Sequence, residues 1–237
     1  MINQEEVFLE QPRDKFDDPE DRKGFIRKVY SILGTQLLVT ALVTLIPFFS
    51  TKVAMWMTSS QSLWLLIALL VLMIVIMCLL ICVKKIARTP PYNYIGLFAF
   101  TICMAYLVAV CCAAVSNPSI VLAAACITAA MVLAITLYAF TASKGEILTC
   151  MAFLFILVMT SLMVAIFTLF VYSYFLYMFF VGLGVVIFGI YLLIDTYFIM
   201  HKKHYQLYID DYVLAAMILY LDIIMIFLYV LRLLGGR

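Results

Sequence analysis

The sequence predicts an all-α fold, a polytopic membrane protein with seven transmembrane helices, and three observations carry that expectation. Of 237 residues, 68% are apolar and only 12% are charged, far from the mix of a water-soluble domain. The charged residues gather at the N-terminus and in short links, leaving charge-free blocks at 53–83, 89–143 and 147–194. Blocks of that length must cross a bilayer or fold back as helices, because backbone N–H and C=O groups find no water partner in lipid. The net charge of +2 gives no basic footprint for nucleic acid, so the lipid bilayer is the partner that composition names.

Residues 1–24 are polar, with no apolar h-region of a secretory signal, and read as a disordered cytosolic tail. Its acidic residues lack the glycine and glutamate spacing of a calcium-binding EF-hand loop. The membrane domain is expected over 25–237. Helix 1 spans about 29–49, entered through Arg22, Lys23, Arg27 and Lys28, with Pro47 near its far end, where a proline costs little. Helix 2, at 63–83, carries no charge and is followed by a link holding Lys84, Lys85, Arg88 and Pro90-Pro91.

The 89–143 block is too long for one span. Ser116-Asn117-Pro118-Ser119 divides it, a cap followed by proline being a helix start. Helices 3 and 4 are then about 94–115 and 119–141, and alanines at 123–125, 129 and 130 suit close helix approach in lipid. The next block divides near 171–173 into helix 5 (147–170) and helix 6 (174–200), and helix 7 follows at 212–234. Glu146 with Lys144 reads as an ion pair in the link before helix 5.

Seven spans place the termini on opposite sides. Lys and Arg number twelve on the N-terminal set of sides and three on the other, so the positive-inside rule puts the N-terminus in the cytosol. Arg232 and Arg237 run against that count, and a re-entrant last segment is the alternative. Seven cysteines, all in apolar stretches without paired CxxC spacing, read as packing residues rather than disulfides.

Asp195 and Asp222 are the only acidic residues well inside apolar runs, and an intramembrane carboxylate is a functional hypothesis by default. Helical periodicity puts Gly184, Phe188, Tyr191, Phe198 and Lys202 on the face of Asp195, and Asp211, Ala215, Ile218, Met225 and Tyr229 on the face of Asp222. Counted from the helix ends, the two differ in depth by about one and a half turns, a gap that water or an ion would bridge. Burial and like charge both oppose double ionisation, so such a pair would share one proton as a coupled unit. Deprotonated, it offers hard oxygen ligands for calcium, transiently bound at Asp195 and Asp222; protonated, it holds little cation. Otherwise each is a neutral acid bonded to a tyrosine, such as Tyr191 or Tyr229. Asp211 starts helix 7 or forms the cytosolic mouth of an acidic path. His201 and His204 with Lys202 and Lys203 read as an interfacial basic link, and Gly182-Leu183-Gly184 lies inside a span with no phosphate-loop context.

FIRKVYSILGTQLLVTALV at 25–43, PYNYIGLFAFTICMAY at 91–106, YLLIDTYFIM at 191–200 and DDYVLAAMILYLDIIMIFLYVLRLLG at 210–235 resemble the transmembrane Bax inhibitor motif family, in its Lifeguard and Golgi anti-apoptotic branch. The resemblance implies six helices around a central seventh, no enzymatic activity, calcium leak from internal stores and suppression of cell death. It makes Asp195 and Asp222 a pH sensor and ion pathway, to which position in the helices adds Asp211 as part of the path and Tyr191, Lys202 and Tyr229 as supporting same-face residues. It also implies a Golgi, endoplasmic reticulum or other endomembrane location, no cofactor, and calcium and protons as the ions handled. In bacterial relatives an arginine in helix 2 latches the helix-6 aspartate. Residues 63–83 hold no basic residue, which would leave Lys202 or the protonated pair to close the path. The other readings are a non-conducting regulator of apoptosis acting through membrane protein partners, and an intramembrane aspartyl protease, whose YD, GxGD and PAL motifs are not found.

Overall fold

The computed structural model describes residues 19–83, 87–115, 117–171, 173–201 and 211–236. Lys202, Lys203, His204 and Asp210 lie outside the described residues, as does the polar tail up to residue 18. Eight helices are described: α1 Pro19–Phe49, α2 Thr51–Thr58, α3 Leu63–Cys82, α4 Tyr92–Val115, α5 Pro118–Thr141, α6 Lys144–Phe170, α7 Tyr174–His201 and α8 Tyr212–Gly235. All but α2 belong to segments long and apolar enough to cross a membrane, which makes the chain a seven-span membrane protein. The side holding the start of α1 is called the near side below, and the opposite one the far side.

Local chemistry explains most of the boundaries. α1 opens at Pro19, earlier than its apolar run, because a proline loses nothing at a first turn and Glu20 beside it suits the helix dipole. At the start of α5, the Asn117 side chain accepts from the Ser119 N–H at 3.0 Å, with Pro118 following the cap. Glu146 is not paired with Lys144 as expected. Ser143 Oγ accepts from Glu146 N at 3.3 Å while Glu146 Oε2 accepts from Ser143 N at 2.7 Å, a capping box that moves the start of α6 back to Lys144. α2 was not foreseen. It packs against α1 and α4 and, with the exposed Trp56 and Trp64, sets an aromatic anchor at the far interface. α8 ends on Gly236 in the left-handed region at φ 59°, a conformation natural to glycine at a helix end.

α8 is the most buried of the seven spans and forms the axis of the bundle. Four helices, α1, α4, α5 and α7, pack closely on it, while α3 rests mainly on α4 and α6 on α7. The expected ring of six is therefore four inner helices and two outer ones that stay largely exposed to lipid. Ala105 and Ala109 on α4 and Ala215 and Ala216 on α8 are fully or almost fully buried, and such small side chains let backbones approach where no hydrophobic force draws helices together. All seven cysteines are free.

Side-chain hydrogen bonds pin the bundle: Thr40 to the Tyr220 hydroxyl at 2.7 Å, and Gln36 Nε2 to Thr101 Oγ1 at 3.0 Å. Thr40 also donates to the Gln36 carbonyl, so removing the Tyr220 hydroxyl leaves it with a partner. Tyr220→Phe should therefore cost only about 0.6–1 kcal/mol, typical of an interhelical bond in a membrane, measured by reversible unfolding in mixed detergent micelles.

Candidate functional site

Two facing stripes along the α7–α8 seam build the site. On α7, Gly184, Phe188, Tyr191 and Asp195 recur at helical spacing; on α8, Asp222, Met225, Tyr229 and Arg232 do the same. The helices are antiparallel and pack on each other along their lengths.

At the centre, Asp195 and Asp222 face each other across the seam, close enough for each carboxyl group to act on the other. The depth offset expected from helix ends is absent because the helices are staggered. Asp195 lies six residues before the end of α7 and Asp222 ten after the start of α8, so α8 begins about 6 Å further towards the near side. Asp222 is buried and Asp195 half-buried. One Asp222 oxygen, Oδ2, has no hydrogen-bond partner among the described residues. Just to the near side, the Tyr30 hydroxyl sits by Thr136 and Thr196. Tyr30 Oη and Thr196 Oγ1 are likewise buried without a bond of normal geometry, in a region where native proteins satisfy such groups directly or with water.

Neither expected tyrosine bonds an aspartate. Tyr191 is exposed, its ring 5.9 Å from that of Phe188. Tyr229 stacks on Phe188 at 5.7 Å, with its rings inclined by 28°. The pair alone supplies two carboxyl groups, and no cluster of three or more His, Cys, Asp or Glu residues occurs among the described ones.

Asp211 has a partner that sequence reasoning did not give it. It stands at the N-cap of α8 without capping through its side chain. Its carboxylate instead takes a two-pronged contact from Arg88, Nε to Oδ1 at 2.7 Å and Nη2 to Oδ2 at 3.0 Å. Next to it, Tyr94 donates to the Tyr212 hydroxyl at 3.1 Å, and Lys28 Nζ lies 5.4 Å from the Tyr212 ring centre. Asp211 is on the same face as Asp222 and about 16 Å from it along the helix. Arg88 was visible in the sequence only as a link residue; the signal was a guanidinium one link away from a span that lacked one.

The far half of the bundle is looser. A cavity of about 550 Å³ opens between α4 and α7 with α8 as its floor, bordered by Cys111, Tyr177, Met225, Tyr229 and Arg232. The Arg232 guanidinium donates through Nε to the Tyr177 hydroxyl and lies 5.8 Å from its ring centre. A second cavity of about 660 Å³, between α1 and α5, is lined by apolar groups and threonines. The hydroxyls of Thr40, Thr44 and Thr128 there already bond backbone carbonyls. On the near side, His201 stacks on Tyr197 at 4.3 Å and contacts its carbonyl through Nδ1.

The family described as inhibitor of apoptosis-promoting Bax1 matches residues 22–237. Protein lifeguard 3 of Homo sapiens is 29% identical over 227 residues, covering 94% of this chain and 72% of the relative. Its counterpart of the same name in Mus musculus is 27% identical over the same shares. A BI1-like protein of Arabidopsis thaliana is 34% identical over 219 residues, 90% of this chain and 80% of the relative.

Proposed function

This chain belongs to the Bax inhibitor family, and from that premise we propose that it is a pH-sensitive calcium leak channel of intracellular membranes that limits store content and restrains cell death. The observation that carries the reading is the juxtaposition of Asp195 and Asp222 at the heart of the bundle. Two carboxyl groups so close together in a low-dielectric site oppose each other's ionisation, and on this reading they share one proton. A calcium ion that binds there must displace it, because carboxylates coordinate only when ionised. Occupancy by calcium therefore rises with pH, and each binding event releases a proton to one side or the other.

The remaining parts take their roles from position. With the N-terminus in the cytosol, the Arg88–Asp211 contact covers the cytosolic end of the path and the 550 Å³ cavity lies in the luminal half of the bundle. Tyr30 and Thr196 offer oxygens beside the pair that a hydrated ion can use. Lys202, expected to help close the path, lies outside the described residues, and at the cytosolic end it is Arg88 that holds the start of α8.

The test is direct. Purified protein in calcium-loaded liposomes carrying an internal dye should leak calcium at a rate that changes between pH 6 and pH 8, while empty liposomes do not. Flux at background across that range would overturn the channel reading and leave a non-conducting regulator that works through protein partners.

A further inference from the structure

We propose that Tyr229, seated on Gly184, is the gate that separates the far-side cavity from the aspartate pair. Along the α7–α8 seam the order from the far side is fixed by residues already placed: Arg232 with Tyr177, then Tyr229 against Gly184 and Phe188, then Asp222 with Asp195. Tyr229 and Met225 border the cavity on the same helical face as Asp222, and Tyr229 is two turns, about 10 Å, from it. The cavity is thus an antechamber of the pair, stopped by a short apolar plug.

The seat is shaped for the ring. A Cβ at Gly184 would lie 2.4 Å from Tyr229 Cε1 and 2.6 Å from Cδ1 and Cζ, distances no packed carbon tolerates, so only glycine lets the ring lie flat across the seam. Phe188 stacks on it one turn deeper at 5.7 Å. No described residue hydrogen-bonds the Tyr229 hydroxyl, and the ring is held by shape and stacking alone. Such a closure opens by a side-chain rotation without breaking a polar bond. A constriction lined by Phe188, Met225 and Tyr229 excludes water while shut, which is how apolar gates block ions. The glycine that looked like an idle member of a Gly-Leu-Gly stretch is, on this geometry, the socket of the gate.

The inference rests on the leak reading for its calcium readout, so the test carries a second readout independent of flux. Asp222→Cys, which puts the reporter at the pair itself, is held in nanodiscs and exposed to a charged, membrane-impermeant methanethiosulfonate, its labelling followed by peptide mass spectrometry with native Cys111 in the cavity wall as the internal standard. Labelling at position 222 relative to Cys111 should be slow with Tyr229 and Gly184 in place, and at least several-fold faster when Tyr229→Ala or Gly184→Ala is added. Tyr229→Phe should stay slow, since the ring and not the hydroxyl closes the seam. In liposomes, Tyr229→Ala and Gly184→Ala should raise calcium efflux several-fold while keeping its pH dependence, because the carboxyl groups are untouched. If labelling speeds up but no variant passes calcium, the gate stands and the leak reading fails. Equal labelling in all four proteins overturns the gate whatever the flux. Should Tyr229→Ala fail to fold, Gly184→Ala decides alone: it adds one methyl group, and labelling no faster than with glycine overturns the proposal.

Discussion

Asp222→Asn is expected to flatten the pH dependence of calcium efflux while leaving the protein folded. In the wild type, one coupled proton can change a rate or an occupancy by up to about tenfold per pH unit, the value of one proton's worth of linkage. An asparagine facing Asp195 reproduces the half-protonated pair permanently: it keeps the shape, can donate a hydrogen bond to Asp195, and has nothing further to lose as pH rises. The variant should therefore change by less than about twofold per pH unit over the same range, and its calcium-induced proton release should disappear. Asp195→Asn should do the same from the other side, because the two groups titrate as a unit. One variant flat and the other like wild type would mean that a single acid senses pH; both like wild type would remove the pair from the mechanism altogether. Stability offers a control with a definite sign. A neutral isostere at one member keeps the pair at a single charge without the need to hold a proton as pH rises, and it opens no cavity, so both variants should melt at or above the wild-type temperature. A drop in melting temperature would show that the carboxyl groups hold the helices together rather than sense protons.

Much of the architecture was legible because lipid imposes strict rules. Charge-free blocks gave the spans, and Asn117-Pro118 or the links at 84–91 gave their breaks, since caps, prolines and basic residues act locally. Other features depended on reading local signals that stood in plain sight. Ser143 and Glu146 spell a capping box that the pairing of Glu146 with Lys144 obscured. The segment Thr51–Thr58 is too short to span a bilayer and drew no notice as an element, yet α1 and α4 give it a surface to fold on. What the sequence could not reveal is axial stagger. Depth counted from helix ends separated Asp195 from Asp222, and only packing of α7 on α8 could remove that separation. The same limit hid Arg88 from Asp211, two residues 123 positions apart whose meeting depends on where a link is laid over a helix end. Periodicity did place Gly184 with Asp195 and Tyr229 with Asp222, but not the contact between those two faces.

Arg88→Ala tests whether that link is a strut, a latch or both. Asp211 is only 8% exposed at its side chain and Arg88 27%, so the contact sits between a surface ion pair and a fully buried one. Exposed pairs contribute at most about 1 kcal/mol, and removing one partner of a buried pair costs about 3–5 kcal/mol because a charge is left without its counter-charge. The partly exposed guanidinium argues for the lower part of that span, a loss of about 2 kcal/mol, read as reversible unfolding in detergent. Arg88→Lys should recover only part of it, since an ammonium cannot reproduce the two parallel N–H contacts. Arg88→Ala combined with Asp211→Ala should be more stable than Arg88→Ala alone, because the mostly buried carboxylate that has lost its guanidinium counter-charge is removed with it. Added salt should change little, because Asp211 is shielded from bulk ions. The latch reading makes a further demand. If Arg88 holds the start of α8 shut against the link, every variant that breaks the contact should leak faster, the double variant included, although its stability has recovered. Efflux that tracks melting temperature instead would make the pair a strut. Efflux that follows the broken contact while stability returns would make it the closure that a basic residue in helix 2 was expected to provide, moved one link along the chain and on to the neighbouring acid.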